Sequence, residues 1–259
     1  IAGVDVTADN NVDLNSNVSL TTGAVAVTSN AGDITFGGTI DGAVDLTIAA
    51  TLGDTQIDGA VGAATLTATN GGDFTADGTM TTVGDMTVDA DGDLEFGGNL
   101  AAGGDITLET GSVGTIAFEA AVTDVTAVGD IVLSNAVVSA TTVPTIATIT
   151  SESTTGITFD AGGDFTMTAG EKLTTFGDLT ITTGANGTAS LGDLVTIGDI
   201  RVTADTINFI SRNAGDVLNA DGTTTEDQGI DVVASGEFFF SVAPGLTGGL
   251  RPVHFASNF

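Results

Sequence analysis

The sequence predicts an all-β fold, namely a right-handed, single-stranded parallel β-helix (a solenoid) with about 20 residues per coil. The first observation is a repeated Gly-Asp pair followed by an apolar segment, with copies that begin about 20 residues apart. The copies begin at Gly32-Asp33, Gly53-Asp54, Gly72-Asp73 and Gly92-Asp93. The second observation is that three neighbouring positions recur with the same period. Two of these positions are apolar, namely Leu46, Leu66, Met86 and Ile106, and Ile48, Ala68, Val88 and Leu108. The position between them is always threonine: Thr47, Thr67, Thr87 and Thr107. Such a period is typical of a solenoid, which buries its core by stacking repeats.

Each coil is predicted to contain three short strands separated by three corners. In Leu46-Thr47-Ile48 the apolar residues alternate with threonine, so Leu46 and Ile48 face inwards and Thr47 faces outwards. Coils stacked in parallel lie about 4.8 Å apart, so equivalent inward residues form continuous internal stacks. The sequence has neither a leucine-rich repeat frame nor a strict six-residue repeat, which favours the right-handed β-helix.

Glycines recur at one corner of each copy, in the pairs Gly37-Gly38, Asp58-Gly59, Asp77-Gly78 and Gly97-Gly98. We expect these corners to need a positive φ, which glycine adopts without strain. After Leu108 the spacing loosens. Ile116, Phe118 and Val122 match Ile34, Phe36 and Ile40, and the interval from Gly104-Asp105 to Gly129-Asp130 indicates a lengthened corner.

The period divides the chain into a parallel β-helix over residues 1–210 and an aperiodic, Phe-rich segment over residues 211–259. The second segment is interpreted either as a cap over the last coil or as an apolar surface that docks on a partner. No capping helix precedes the strand rhythm that begins at Val4-Asp5-Val6, and an uncapped coil invites pairing with another chain. The predicted assembly residues are those at the two ends: Val4, Val6, Phe238, Phe239, Phe240, Phe255 and Phe259.

The charge of the chain limits the classes of partner that it is expected to bind. The net charge is −30, with 34 acidic and 4 basic residues, so the chain lacks a basic surface for nucleic acid or anionic membranes. No apolar run reaches membrane-spanning length, so membrane insertion is not expected. Scarce lysine with abundant threonine and glycine, in a strongly acidic chain, favours an extracellular or cell-surface location rich in cations.

Two repeat phrases carry a resemblance to a known family. Residues 32–40, Gly-Asp-Ile-Thr-Phe-Gly-Gly-Thr-Ile, and residues 92–100, Gly-Asp-Leu-Glu-Phe-Gly-Gly-Asn-Leu, resemble the repeats of filamentous-haemagglutinin-like bacterial surface proteins. The likeness extends over roughly residues 25–210 and implies a right-handed β-helix, export, adhesion and fibre formation. The secretion domain of that family, with its Asn-Pro motifs, has no counterpart in this sequence.

Twelve Gly-Asp pairs raise the question of metal binding or catalysis. Each aspartate is expected to accept hydrogen bonds from the backbone amides of its own corner, with cations between stacked aspartates as an addition. The best local candidate for calcium is the set Asp89, Asp91 and Asp93, although Leu94 occupies the position where an EF-hand loop has glycine. No catalytic residue is predicted and no cofactor is required; calcium is the one ion that these carboxylates suggest.

The sequence therefore predicts a non-catalytic extracellular structural or adhesive protein that assembles head to tail into a surface fibre or matrix. Its expected partners are copies of itself and host or cell-surface glycans. Two alternatives stay open: a glycan-binding or glycan-cleaving β-helix, and an excised piece of a giant adhesin.

Overall fold

The structure is a computed structural model, and it describes residues 5–111, 114–119, 122, 124–139, 148–151, 156–166, 172–175, 177–184, 187–196, 198–209, 232–234, 238–242 and 256–257. These residues form strands joined by short corners, with no helix among them. Consequently the described part also contains no helix with the length and hydropathy of a membrane span.

The regular part of the chain consists of strands of three to five residues. In chain order they are β1 (Val6–Ala8), β2 (Val12–Leu14), β3 (Val18–Leu20), β4 (Val25–Ser29), β5 (Ile34–Phe36), β6 (Ile40–Gly42), β7 (Leu46–Ala50), β8 (Thr55–Ile57), β9 (Val61–Ala63), β10 (Leu66–Asn70), β11 (Phe74–Ala76), β12 (Met80–Thr82), β13 (Met86–Ala90), β14 (Leu94–Phe96), β15 (Leu100–Ala102), β16 (Ile106–Thr110), β17 (Thr115–Phe118) and β18 (Asp124–Ala127).

Later strands are less uniform in length. They are β19 (Ile131–Ser139), β20 (Thr148–Ser151), β21 (Gly156–Thr166), β22 (Lys172–Thr175), β23 (Asp178–Thr182), β24 (Thr188–Leu191), β25 (Asp193–Thr196), β26 (Ile200–Ala204), β27 (Thr206–Phe209), β28 (Val232–Ala234), β29 (Phe238–Val242) and β30 (Ala256–Ser257).

The strands stack in parallel into three faces, one strand from each coil on each face. Face 1 begins with β1, β4 and β7, face 2 with β2, β5 and β8, and face 3 with β3, β6 and β9. The long strands β19 and β21 run through both face 1 and face 2, which joins those faces into one 19-stranded sheet. Face 3 is a separate 11-stranded sheet. Corner 1 lies between faces 1 and 2, corner 2 between faces 2 and 3, and corner 3 between face 3 and the next coil. The predicted all-β parallel solenoid is therefore confirmed.

The predicted internal stacks are also confirmed. Leu66 pairs with Leu46 on one side and with Met86 on the other, and Met86 pairs in turn with Ile106. All of these side chains are buried, while the threonine file beside them faces outwards. Because each coil is only three short strands, burial of this kind depends on the coils above and below.

Aromatic rings fill the core behind face 2. The ring centroid of Phe96 lies 5.9 Å from that of Phe74 and 5.6 Å from that of Phe118. All three rings are nearly or fully buried, and the spacing falls within the range at which aromatic pairs attract. The rings therefore tie three consecutive coils together.

The explanation predicted for the corner glycines is wrong. Among the described glycines a positive φ occurs only at Gly23 and Gly156, and neither belongs to the predicted corner pairs. Glycine is needed at corner 2 because the coils approach closely there. A Cβ atom built on Gly98 would lie 2.5 Å from the carbonyl carbon of Gly78 and 2.5 Å from the amide nitrogen of Thr79. Close stacking, and not backbone handedness, selects glycine at this corner.

Beyond Leu108 the structure confirms the predicted positions of Ile116 and Phe118, which pair with Leu94 and Phe96, and corrects that of Val122. Ile131 pairs with Ile106, so the long interval before Gly129-Asp130 is one lengthened coil. Val122 is buried, but the residue that pairs with Leu100 is Val125. The corner before β18 is longer than in the earlier coils, and this moves the pairing position from Val122 to Val125.

Candidate interaction surface: the carboxylate ladders

Aspartate side chains at corner 1 link each coil to the next through a backbone amide. The Oδ1 atom of Asp33 accepts a hydrogen bond from Asp54 N at 3.0 Å, and the Oδ1 atom of Asp54 accepts one from Asp73 N at 2.8 Å. The series continues from Asp73 to Asp93 N at 2.8 Å and from Asp93 to Thr115 N at 2.7 Å. The donors belong to the following coil, whereas the sequence predicted donors from the same corner. The carboxylates are therefore inter-coil bonds that run up the edge of the column.

Corner 3 carries a second ladder built in the same way. Asp85 accepts from Asp105 N at 3.0 Å, Asp105 accepts from Asp130 N at 2.8 Å, and Asp130 accepts from Gly156 N at 3.2 Å. Corners 1 and 3 flank face 1, so this face lies between two parallel lines of negative charge.

The ladders explain why glycine precedes aspartate so often. The glycine of each coil lies directly over the carboxylate of the preceding coil, which leaves no room for a side chain. A Cβ atom on Gly92 would overlap Asp73 Oδ1 and would come within 3.0 Å of the Gly72 carbonyl. At Gly53 the corresponding distance to Asp33 Oδ1 is 2.6 Å. The Gly-Asp pair is thus one structural unit, in which the aspartate accepts from the next coil and the glycine makes room for the previous one.

Each inter-coil hydrogen bond of a ladder is called a rung here. A rung does not require a negatively charged acceptor. Asn11 Oδ1 accepts from Asp33 N at 3.1 Å, and Asn99 Oδ1 accepts from Asp124 N at 3.2 Å. These distances lie within the range of 2.7–3.2 Å found for the aspartate acceptors, so a neutral amide oxygen forms a bond of equivalent length. The charge of an aspartate rung strengthens its bond but adds repulsion along the ladder, which dissolved cations reduce.

Near the end of the described solenoid an arginine bridges two rungs of the corner 3 ladder. Asp178 Oδ1 accepts from Asp199 N at 3.0 Å, as in the earlier rungs. The guanidinium of Arg201 then donates to Asp178 Oδ2 at 3.0 Å and to Asp199 Oδ2 at 2.6 Å. All three side chains are partly exposed, so the pair contributes little to stability by itself.

The predicted calcium residues are not brought together. Within the described part of the chain no group of three His, Cys, Asp or Glu residues could hold a metal ion, and Asp89, Asp91 and Asp93 all lie in that part. Asp89 projects from strand β13 between Thr69 and Glu109, whereas Asp93 is a rung of the corner 1 ladder.

A compact group of acidic side chains lies on face 2 and at corner 2. Glu95 projects outwards from β14, and Glu119 directly follows β17, the strand that pairs with β14. Gln56 donates from Nε2 to Asp58 Oδ1 at 3.1 Å and to Asp77 Oδ2 at 3.2 Å, which ties the corner carboxylates to the strand. Partial burial raises the pKa of Glu95 above its ordinary value, and the hydrogen bond and negative charge of Glu119 raise it further.

Replacing Glu95 by glutamine is expected to stabilise the protein at neutral pH. Because the pKa of Glu95 is higher in the folded protein than in the unfolded chain, its stabilising effect is present below the ordinary value of 4.5 and is lost as the pH rises through the raised value. Glu95→Gln removes the repulsion at neutral pH. Because Glu95 is exposed and solvent screens its charge, the free energy of unfolding should rise by only a few tenths of a kcal/mol, at most about 0.5 kcal/mol. Urea denaturation at neutral and at acidic pH measures both values.

The gain from Glu95→Gln should disappear at acidic pH, where the wild-type carboxyl group is itself protonated. Asp13→Asn is the matched control, because Asp13 projects from the same face and its paired neighbour is Thr35. It should change stability less than Glu95→Gln at neutral pH. A destabilised Glu95→Gln protein at neutral pH would contradict the proposed repulsion.

The predicted assembly residues are placed in part. Val6 opens β1 and pairs with Val27 of β4. Phe238, Phe239 and Phe240 lie in β29, which pairs in parallel with β26 and continues face 1. Val4, Phe255 and Phe259 lie outside the described residues. The boundary predicted near residue 210 and the assembly role of these residues stay predictions.

Several buried polar residues were not predicted from the sequence, and two of them bond each other. Thr55 and Asn70 lie inside the column, and the Thr55 hydroxyl donates to Asn70 Oδ1. The signal was present, because Thr55 occupies the position at which the other copies have Ile34, Phe74 and Leu94. Glu119 follows Phe118, which pairs with Phe96, so it occupies the corner position that Gly97 has in the preceding coil. The repeat pattern of the other copies therefore did not predict a glutamate beside Glu95.

Comparisons with protein-family models, with curated proteins and with solved structures gave no match for this chain. The likeness to filamentous-haemagglutinin-like repeats therefore depends on the sequence phrases, while the parallel β-solenoid itself is shown by the strand pairing.

Proposed function

We propose that this chain is a non-catalytic structural or adhesive protein of the extracellular space or cell surface, built from filamentous-haemagglutinin-like repeats, and that it assembles head to tail into a fibre or matrix. The observation that carries the proposal is the uniformity of the contact between coils. The coils that contain β7, β10, β13 and β16 stack through the same parallel pairing of face 1 and through mostly apolar internal stacks, and their corner 1 aspartates bond the next coil in the same way. An end-to-end contact between copies would repeat this internal contact and would extend the column without closing into a ring.

The charge distribution supports the proposed location. Two lines of carboxylates run along the column, and the whole chain carries a net charge of −30. Such a surface keeps columns apart laterally at low ionic strength and is screened where cations are plentiful. Growth at the ends is thereby favoured over aggregation through the sides.

The test is the state of the purified chain in solution. Multi-angle light scattering and negative-stain electron microscopy are expected to detect linear assemblies whose length grows with protein concentration, at high salt or in millimolar calcium. A strictly monomeric protein under all of these conditions would remove the assembly proposal. Release of sugar from a panel of polysaccharides, abolished by replacing one defined carboxylate pair, would favour the glycan-cleaving alternative instead.

A further inference from the structure

A buried polar pair joins two neighbouring coils inside corner 1. The hydroxyl of Thr55, at the start of β8, donates to Oδ1 of Asn70, at the end of β10. The two residues are 1% and 3% exposed, so water does not substitute for either partner. The hydrogen bond runs from one coil to the next and connects face 1 with face 2.

Both residues depart from the apolar stacks in which they lie. Thr55 pairs with Ile34 on one side and with Phe74 on the other. Asn70 lies between two alanines that occupy the equivalent position in the neighbouring coils. An apolar residue therefore fits each position, and the polar residues are not demanded by the shape of the core.

The pair also leaves one polar atom unpaired. Within the described residues, Asn70 Nδ2 is buried and has no hydrogen-bond partner. An unsatisfied buried amide lowers stability, whereas replacing both partners by apolar groups of similar shape is close to neutral. Stability alone therefore does not account for the presence of Thr55 and Asn70.

Because the coils are similar to one another, a coil could stack on the wrong neighbour during folding, and such a pair can prevent this. The coils that begin at Leu46, Leu66 and Met86 have nearly equal lengths and apolar residues at the same places, so Met86 could pair with Leu46 if the coil between them were skipped. The backbone bonds and apolar stacks would re-form almost unchanged. In that skipped arrangement Ala90 would replace Asn70 above Ala50, and the buried hydroxyl of Thr55 would lose its partner.

We propose that Thr55 and Asn70 form a register mark, a matched polar pair that selects which coil stacks on which during folding. Buried polar residues set register in this way when each is satisfied only in the correct arrangement. Unlike the assembly of copies, the register mark acts within one chain, so it does not depend on the proposed function.

The test combines a double-mutant cycle with refolding of the full chain. Thr55→Val should lower the folding equilibrium constant roughly tenfold or more, because it leaves Asn70 buried without a partner. Adding Asn70→Ala should restore most of that loss, so the two changes should couple strongly. After refolding from denaturant, hydrogen exchange monitored by mass spectrometry should find one population for residues 66–70 in the wild type and two in the double variant, one of them unprotected.

Two controls separate register from simple packing. Ser29→Ala removes another buried hydroxyl of the same stack. This hydroxyl donates to the Asn10 carbonyl and accepts from Gly32 N, and both partners are backbone groups. Ser29→Ala should lower stability and leave a single refolded population. Thr55→Ser keeps the hydroxyl and should also refold to one population. The proposal would be overturned if the effects of the two single substitutions were additive. It would also be overturned if the double variant refolded to one protected population or could not fold.

Discussion

Replacing Phe96 by alanine is expected to lower the free energy of unfolding by about 3–5 kcal/mol. Phe96 is fully buried, and its ring lies between those of Phe74 and Phe118 at centroid distances of 5.9 and 5.6 Å. Truncation removes the central ring of this row, leaves a cavity and abolishes both ring contacts. Because each coil is stable only on its neighbours, the damage should extend to the coils on both sides. Equilibrium denaturation measures the loss.

Hydrogen exchange should locate the effect of Phe96→Ala in β11, β14 and β17. Val83→Ala is the matched control, since Val83 is 75% exposed at corner 3 and its truncation should change stability by about 0.5 kcal/mol or less. A Phe96→Ala protein that lost less than about 1 kcal/mol would show that the aromatic row is not a main source of stability.

Replacing Gly92 by alanine is expected to destabilise the column by about 1–3 kcal/mol or more, although alanine adds a single methyl group. The new Cβ atom would overlap the Asp73 carboxylate and press on the Gly72 carbonyl 3.0 Å away. Relief requires the two coils to separate, which also stretches the hydrogen bond from Asp93 N to Asp73. Thermal and chemical denaturation measure the change.

A glycine elsewhere in the column provides the contrast for Gly92→Ala. A Cβ atom on Gly62 would lie 3.3 Å from the exposed Asp41 carboxylate and 3.9 Å from the Ile40 carbonyl, so a small movement of Asp41 makes room. Gly62→Ala should be neutral or stabilising by up to about 1 kcal/mol, because alanine restricts the unfolded chain. Equal effects of the two substitutions would contradict the close-stacking explanation of the Gly-Asp pair.

Several features of the fold could be predicted because they depend only on repetition. Equivalent positions such as Leu46 and Leu66 are one repeat apart, and a regular spacing of apolar residues specifies both the strand and its inward face. The prediction of equivalent positions was less accurate after Leu108, where the spacing of the repeats changes. Val122 was matched to the earlier coils in place of Val125, since the length of an inserted corner is not encoded in apolar periodicity.

The ladders were predicted only in outline. The sequence identified aspartates such as Asp73 as hydrogen-bond acceptors at corners, but the donor is Asp93 N of the next coil and not an amide of the same corner. A local turn and an inter-coil bond give the same residue preference, Gly-Asp. Distinguishing them requires the distance between coils.

The period and the alternation within each coil are properties of the linear sequence, as is the acidic charge. The period and the alternation were sufficient to predict the parallel solenoid and its internal stacks. The contacts of Glu95 with Glu119, of Thr55 with Asn70 and of Gly92 with Asp73 became evident from the folded column. Each of these contacts joins residues of neighbouring coils that are far apart in the chain. Their geometry depends on the stacking distance and on corner length, quantities that arise from the packing of neighbouring coils and are not present in any one repeat.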